Sequence, residues 1–175
     1  AHVTTIVIGY GAGLVASAIS HVWILGKLLG WRKDSSNFYS NLASTIYGVV
    51  CFCFFFSLIG TVLGGIWAQY SWGRFWGWDP KENGALLIVL WCLVIMHARL
   101  GKILSVSGIV WTSVILGIIV SFSWWGVNLL GVGLHSYGFT RGVWNSLVAF
   151  WIIESIIAIL GIYISLSQPV ANKNS

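Results

Sequence analysis

The sequence predicts an all-α fold, a polytopic transmembrane helix bundle of about five spans with Trp-rich and Gly-rich outer loops. Three observations carry this. Only 7% of the 175 residues are charged and 58% are hydrophobic, whereas a soluble domain usually carries about 25% charged residues. Five stretches are apolar over roughly the 17 to 25 residues that a bilayer crossing needs. None of them alternates in polarity as a strand would, so helices are expected. A disordered chain and a soluble secreted scaffold are both excluded by this composition.

The spans run about Val3 to Leu29, Ile46 to Trp67, Gly84 to Leu100, Gly108 to Trp125 and Val143 to Leu166. Gly9, Gly11 and Gly13 in the first span are small residues at close spacing, which admit a neighbouring helix. Four loops join the spans: a polar one from Gly30 to Thr45, a Trp-rich one from Ala68 to Asn83, a short turn from Gly101 to Ser107, and a Gly-rich one from Gly126 to Gly142. The basic residues Lys27, Arg32, Lys33, Arg99, Lys102 and Lys173 fall on one side, against Arg74, Lys81 and Arg141 on the other. The positive-inside rule then places the C-terminus in the cytoplasm, with the N-terminus and the Trp-rich and Gly-rich loops outside.

The net charge of +5 comes from scattered residues. It forms no basic stripe of the kind a nucleic-acid backbone needs, and nucleic acid is excluded as a partner. Cys51, Cys53 and Cys92 lie inside apolar runs, at spacings that suit neither a zinc site nor a disulfide framework. No signal peptide is evident, and the chain reads as a piece of a longer or processed protein.

The segment Trp72-Gly73-Arg74-Phe75-Trp76-Gly77-Trp78-Asp79-Pro80-Lys81-Glu82-Asn83 is the most unusual. An aromatic belt at the bilayer interface accounts for single tryptophans. It accounts poorly for a dense run broken by glycines and closed by Asp-Pro-Lys-Glu. A platform for a flat apolar ligand explains more, because indole faces give rigid contact area and glycines let backbone approach. Asp79 is placed to cap the helix that follows. Lys81 and Arg74 are suited to pair with ligand carboxylates, or to stand as solvated interfacial charge.

The sequence has four histidines. His2 and His135 fall at the outer end, with the Trp loop. Imidazole is a common haem iron ligand, and two facing each other across an aromatic platform suit six-coordinate haem. His97 lies about 14 residues into the third span, roughly 20 Å down. His21 approaches the same inner layer. Glu154 sits near the centre of the last span, where a carboxylate must be protonated, paired or facing water; the sequence does not name its partner. His97 and His21 are also readable as buried polar residues holding helices together.

Trp72-Gly73-x-Phe75-Trp76-x-Trp78-Asp79-Pro80-Lys81-Glu82 resembles the tryptophan-rich "WWD" signature of the cytochrome c assembly proteins, most of all the CcsA/ResC type of system II. Asn128 to Gly131 with Gly133-Leu134-His135-Ser136-Tyr137-Gly138 is similar to that family's segment around its second outer histidine. Met96-His97-Ala98-Arg99-Leu100 resembles the stretch carrying a transmembrane histidine, and His2-Val3 the stretch carrying the first outer one. The resemblance implies a protein that holds haem b on the outer side and presents it to apocytochrome c. Thioether bonds then form with Cys-x-x-Cys-His cysteines, with help from a ResB/CcsB-type membrane partner. It implies His2 and His135 as axial ligands of the haem iron, and Trp72, Trp76, Trp78 and Asp79 as the platform. It implies His97 as one of two inner histidines, the other lying in a segment not found in this chain.

On this reading residues 1–175 form a single assembly domain in the lipid bilayer, cut short at the N-terminus. Whether it acts as part of a synthase or as a haem carrier stays open. Two other classes compete: a b-type haem electron carrier, and a membrane transporter using Glu154.

Overall fold

The computed structural model describes residues 1–32, 36–136 and 142–167. The expected contributions of Lys33, Tyr137, Gly138, Arg141 and Lys173 lie outside the described residues. Five helices, α1 (His2–Leu28), α2 (Ser36–Trp72), α3 (Pro80–Leu100), α4 (Val106–Trp124) and α5 (Val143–Ser167), are each long and apolar enough to cross a membrane. A 3₁₀ turn, Gly126–Leu130, follows α4. The described residues contain no strand, as expected for an all-α bundle.

α4 is the central element and touches the four other helices. Its Val110, Val114, Leu116 and Val120 are fully buried. α1 packs most extensively on α2, and two glycines, one on each helix, explain why. A Cβ on Gly9 would stand 2.7 Å from the Ser57 backbone nitrogen, and one on Gly60 would stand 2.8 Å from the Ile6 backbone. Only glycine allows backbones that close. Gly13 is likewise closed over by Val120, whereas Gly11 has nothing within 4 Å of a would-be Cβ. Two of the three glycines singled out in the first span therefore serve packing and the third does not.

The second span is much longer than Ile46 to Trp67. α2 has 37 residues, so the polar loop expected from Gly30 to Thr45 is helical from Ser36 onward. Tyr39, Ala43, Ile46, Val50, Cys53 and Ser57 are all buried and step at alternating intervals of four and three, which is one helix face. Ser40, Asn41, Ser44 and Thr45 are exposed on the other face. There Ser44 and Thr45 return their hydroxyls to the carbonyls of Ser40 and Asn41, each at 3.0 Å. At the far end α2 runs on to Trp72, which shortens the expected loop from Ala68 to Asn83 to residues 73–79.

The α1–α2 corner is closed by aromatic side chains. Trp23 Nε1 donates to the Tyr39 carbonyl at 3.0 Å, and the Tyr39 hydroxyl donates to the Trp31 carbonyl. Lys27 Nζ lies 4.3 Å from the Tyr39 ring centroid, a cation–π contact.

Candidate functional site

The Trp loop, the segment after α4 and the first residue of α1 meet at one end of the bundle. Local chemistry fixes the loop. Asp79 is the N-cap of α3 and Glu82 answers it in a reciprocal capping box, with Pro80 in the first turn. Such a box satisfies two helix-terminal donors at once. The capping role expected for Asp79 is present. Glu82 Oε2 accepts from the backbone nitrogens of Gly77 at 2.7 Å and Asp79 at 3.1 Å, tying the loop down on the helix. Its Oε1 lies 3.8 Å from Arg74 Nη1. The Arg74 guanidinium covers the space a side chain at Gly77 would fill. Lys81 Nζ reaches across to the end of α4 and donates to the carbonyls of Ser123, at 3.3 Å, and Trp124. Both cations considered for ligand carboxylates thus have partners within the protein.

Between these elements lies a cavity of about 490 Å³, within the range of small-molecule and cofactor sites. His2 and His135, far apart in sequence, both line it, together with Tyr10, Phe75, Trp76, Trp124, Trp125 and Asn128. Its α2 wall is made of small residues. A Cβ on Gly64 would touch the His2 ring at 3.4 Å, and one on Gly65 would overlap the Phe75 ring at 2.6 Å. The two imidazoles are joined by an unbroken run of rings. His2 stacks on Trp67 with centroids 5.5 Å apart, Trp67 meets Trp72 edge-on at 4.9 Å, and Trp72 meets His135 edge-on at 4.8 Å.

The four expected platform residues take different places. Trp76 lines the cavity. Trp72 stands between Trp67 and His135. Trp78 is 71% exposed, with φ of 58°, and meets Trp76 edge-on at 6.1 Å. Asp79 is only 4% exposed and is not part of the cavity wall. It faces His135 instead, with Oδ1 3.2 Å from the ring Nδ1.

His97 is in the last turn of α3, at the opposite end from the capping box. It is exposed, with Nδ1 2.8 Å from the Leu93 carbonyl, and does not reach the cavity. Glu154 is 1% exposed, and its partners are on α1: Ser17 Oγ donates to Oε2 at 2.8 Å, and His21 Nε2 stands 3.3 Å from Oε1. Gly117 of α4 permits this meeting, since a Cβ there would be 2.7 Å from Ser17. Glu154 is thus paired inside the bundle with Ser17 and His21.

Trp67, Trp124 and Trp125 were not recognisable in the sequence as part of the site, because a tryptophan at a span end is the ordinary interface anchor. Their shared signal was that all three fall at the end where the Trp loop is.

No solved structure matches the chain. The family model described as cytochrome C assembly protein matches residues 1–135. The chain is 36% identical over 140 residues to the cytochrome c biogenesis protein CcsA of Chlamydomonas reinhardtii, covering 79% of this chain and 40% of that protein. It is 31% identical over 168 residues to the protein of the same name from Parasynechococcus marenigrum, covering 81% of this chain and 55% of that one. The match to the Vitis vinifera protein of that name is 37% over 103 residues, covering 59% and 32%. The chain therefore spans about half or less of the length of these relatives. With the family model matched over most of its length, the chain belongs to the cytochrome c assembly protein family.

Proposed function

We propose that this chain acts in cytochrome c biogenesis. It holds haem b as cargo in the cavity beside the Trp loop, with His2 and His135 as the axial pair, and presents it to apocytochrome c. The supporting observation is that these two imidazoles line one cavity and are bridged by Trp67 and Trp72. The donor set fits the cargo. Two neutral imidazoles suit a six-coordinate iron, and indole and phenyl rings supply apolar contact for a porphyrin.

The haem contributes its vinyl groups. Addition of a cysteine S–H across a vinyl double bond forms the C–S bond and leaves the hydrogen on the adjacent carbon, so nothing is oxidised. The chain's residues bind and orient. His2 and His135 hold the ring plane, the α2 glycines keep the wall flat, and Phe75 and Trp76 exclude water from one side. The reactive thiols belong to the Cys-x-x-Cys-His substrate, and proximity is the protein's contribution. A ResB/CcsB-type membrane partner, the outward orientation of the Trp end, and inner delivery through His97 belong to the same proposal. So does the single assembly domain spanning residues 1–175.

Purified protein should show the spectrum of bis-histidine b-type haem, lost or strongly weakened in His2→Ala and in His135→Ala. An unchanged spectrum in both variants would overturn the axial assignment. Transfer of haem to a Cys-x-x-Cys-His peptide separates cargo from a permanently held electron-carrier haem: transfer supports the proposal, and retention favours the electron carrier.

A further inference from the structure

Asp79 ends up in a different position from the tryptophans beside it in sequence. Its side chain is buried behind His135 and gathers the loop that carries the histidine. Oδ1 accepts from the Lys81 backbone nitrogen at 2.9 Å and stands 3.2 Å from His135 Nδ1, while Oδ2 takes the His135 backbone nitrogen at 3.4 Å. Gly133, at φ of 89°, lies so close that a Cβ there would overlap Oδ2. Trp72 closes the ring from its edge.

We propose that Asp79 is a positioning residue: it fixes His135 as the tautomer protonated on Nδ1, so that Nε2 holds the lone pair for iron. This rests on the reading of His135 as an axial ligand. Both carboxylate oxygens already face N–H donors, so the group acts as an acceptor. A nitrogen lone pair at 3.2 Å would be repelled by it, and an N–H is attracted. A carboxylate on the far nitrogen is the recurrent means of orienting a ligating imidazole and raising its basicity. In a buried setting the contact is stronger than in water. The aspartate thus has two jobs through one side chain, starting α3 and setting the electron-donating strength of a ligand it does not replace.

The variants Asp79→Asn and Gly133→Ala separate these jobs. Asn caps helices as well as Asp does, so D79N keeps the start of α3 while removing the charge and replacing one acceptor oxygen by an N–H donor. G133A keeps the charge and forces the carboxylate away from the loop. The first measurement uses haem-free protein with ¹⁵N-labelled histidine, with the His135 signals assigned by comparison with His135→Gln. Wild type should show the Nδ1–H tautomer, and both variants a mixture or its loss. The second is the midpoint potential of the haem-loaded protein. Loss of the anionic partner weakens the oxidised form relative to the reduced one, and about a tenfold change corresponds to roughly 59 mV upward for a one-electron couple. A wild-type Nε2–H tautomer, or a tautomer and potential unchanged in both variants, overturns the proposal. If wild type takes up no haem, the parent reading fails while the tautomer measurement still decides the role of Asp79.

Discussion

Glu154 of α5 and His21 of α1 face each other inside the bundle, with Oε1 3.3 Å from Nε2. Together with Ser17 they form a polar knot in otherwise apolar surroundings. Removing one member strands the others, which costs about 1–3 kcal/mol for a buried unsatisfied group. His21→Ala should therefore lower stability in detergent unfolding, and adding Glu154→Gln should restore part of the loss. Equal stability of wild type and His21→Ala would show that the contact contributes nothing. Because Glu154 is remote from the cavity wall, Glu154→Gln alone should leave haem binding intact.

Gly60, at the α1–α2 interface, and Gly11, outside it, give a matched pair. Gly60→Ala presses a methyl group on the Ile6 backbone, which cannot rotate away. Overpacking of this sort costs about 1–3 kcal/mol. Gly11→Ala meets nothing within 4 Å and relieves a mid-helix glycine, for a gain of roughly 0.5–1 kcal/mol. Thermal unfolding should rank Gly11→Ala above wild type and Gly60→Ala below it; the reverse order would contradict the close approach of the two backbones.

Haem retention should separate the tryptophans by position. Trp76→Ala removes part of the cavity wall, and Trp67→Ala removes the ring stacked on His2. Trp78 is mostly exposed and off the wall. Titration with haem should show a marked loss of occupancy for the first two and a small effect for Trp78→Ala. A loss for Trp78→Ala as large as the others would mean that the cargo lies elsewhere on the loop.

Cys53 of α2 and Cys92 of α3 bring their sulfurs to 3.8 Å in the buried core. A membrane-permeant oxidant should join them within one chain, with Cys51 left as thiol, as peptide mapping would show. A bridge from Cys51 in place of this one would require α2 to be rotated from the position described.

The spans could be read from the sequence because apolar length alone identifies them, and Asp79 could be placed at a helix start because Asp-Pro-x-Glu is a local signal. The beginning of α2 could not. Ser40, Asn41, Ser44 and Thr45 lower the average hydropathy there, although the stripe through Tyr39, Ala43 and Ile46 was present throughout. The partner of Glu154 was hidden for a different reason: Ser17 and His21 are more than 130 positions away, and only the packing of α1 and α5 across Gly117 brings them together. Within the site, the histidines stood out by their chemistry. Trp67 did not, since its role arises from where α2 ends relative to α1.

The length of α2 has a consequence of its own. Its 37 residues make a rod of about 55 Å, and even leaning by 40° it would rise roughly 42 Å, well over the ~30 Å of hydrocarbon. The rod therefore extends past the hydrocarbon on at least one side, into the zone where headgroups and water mix.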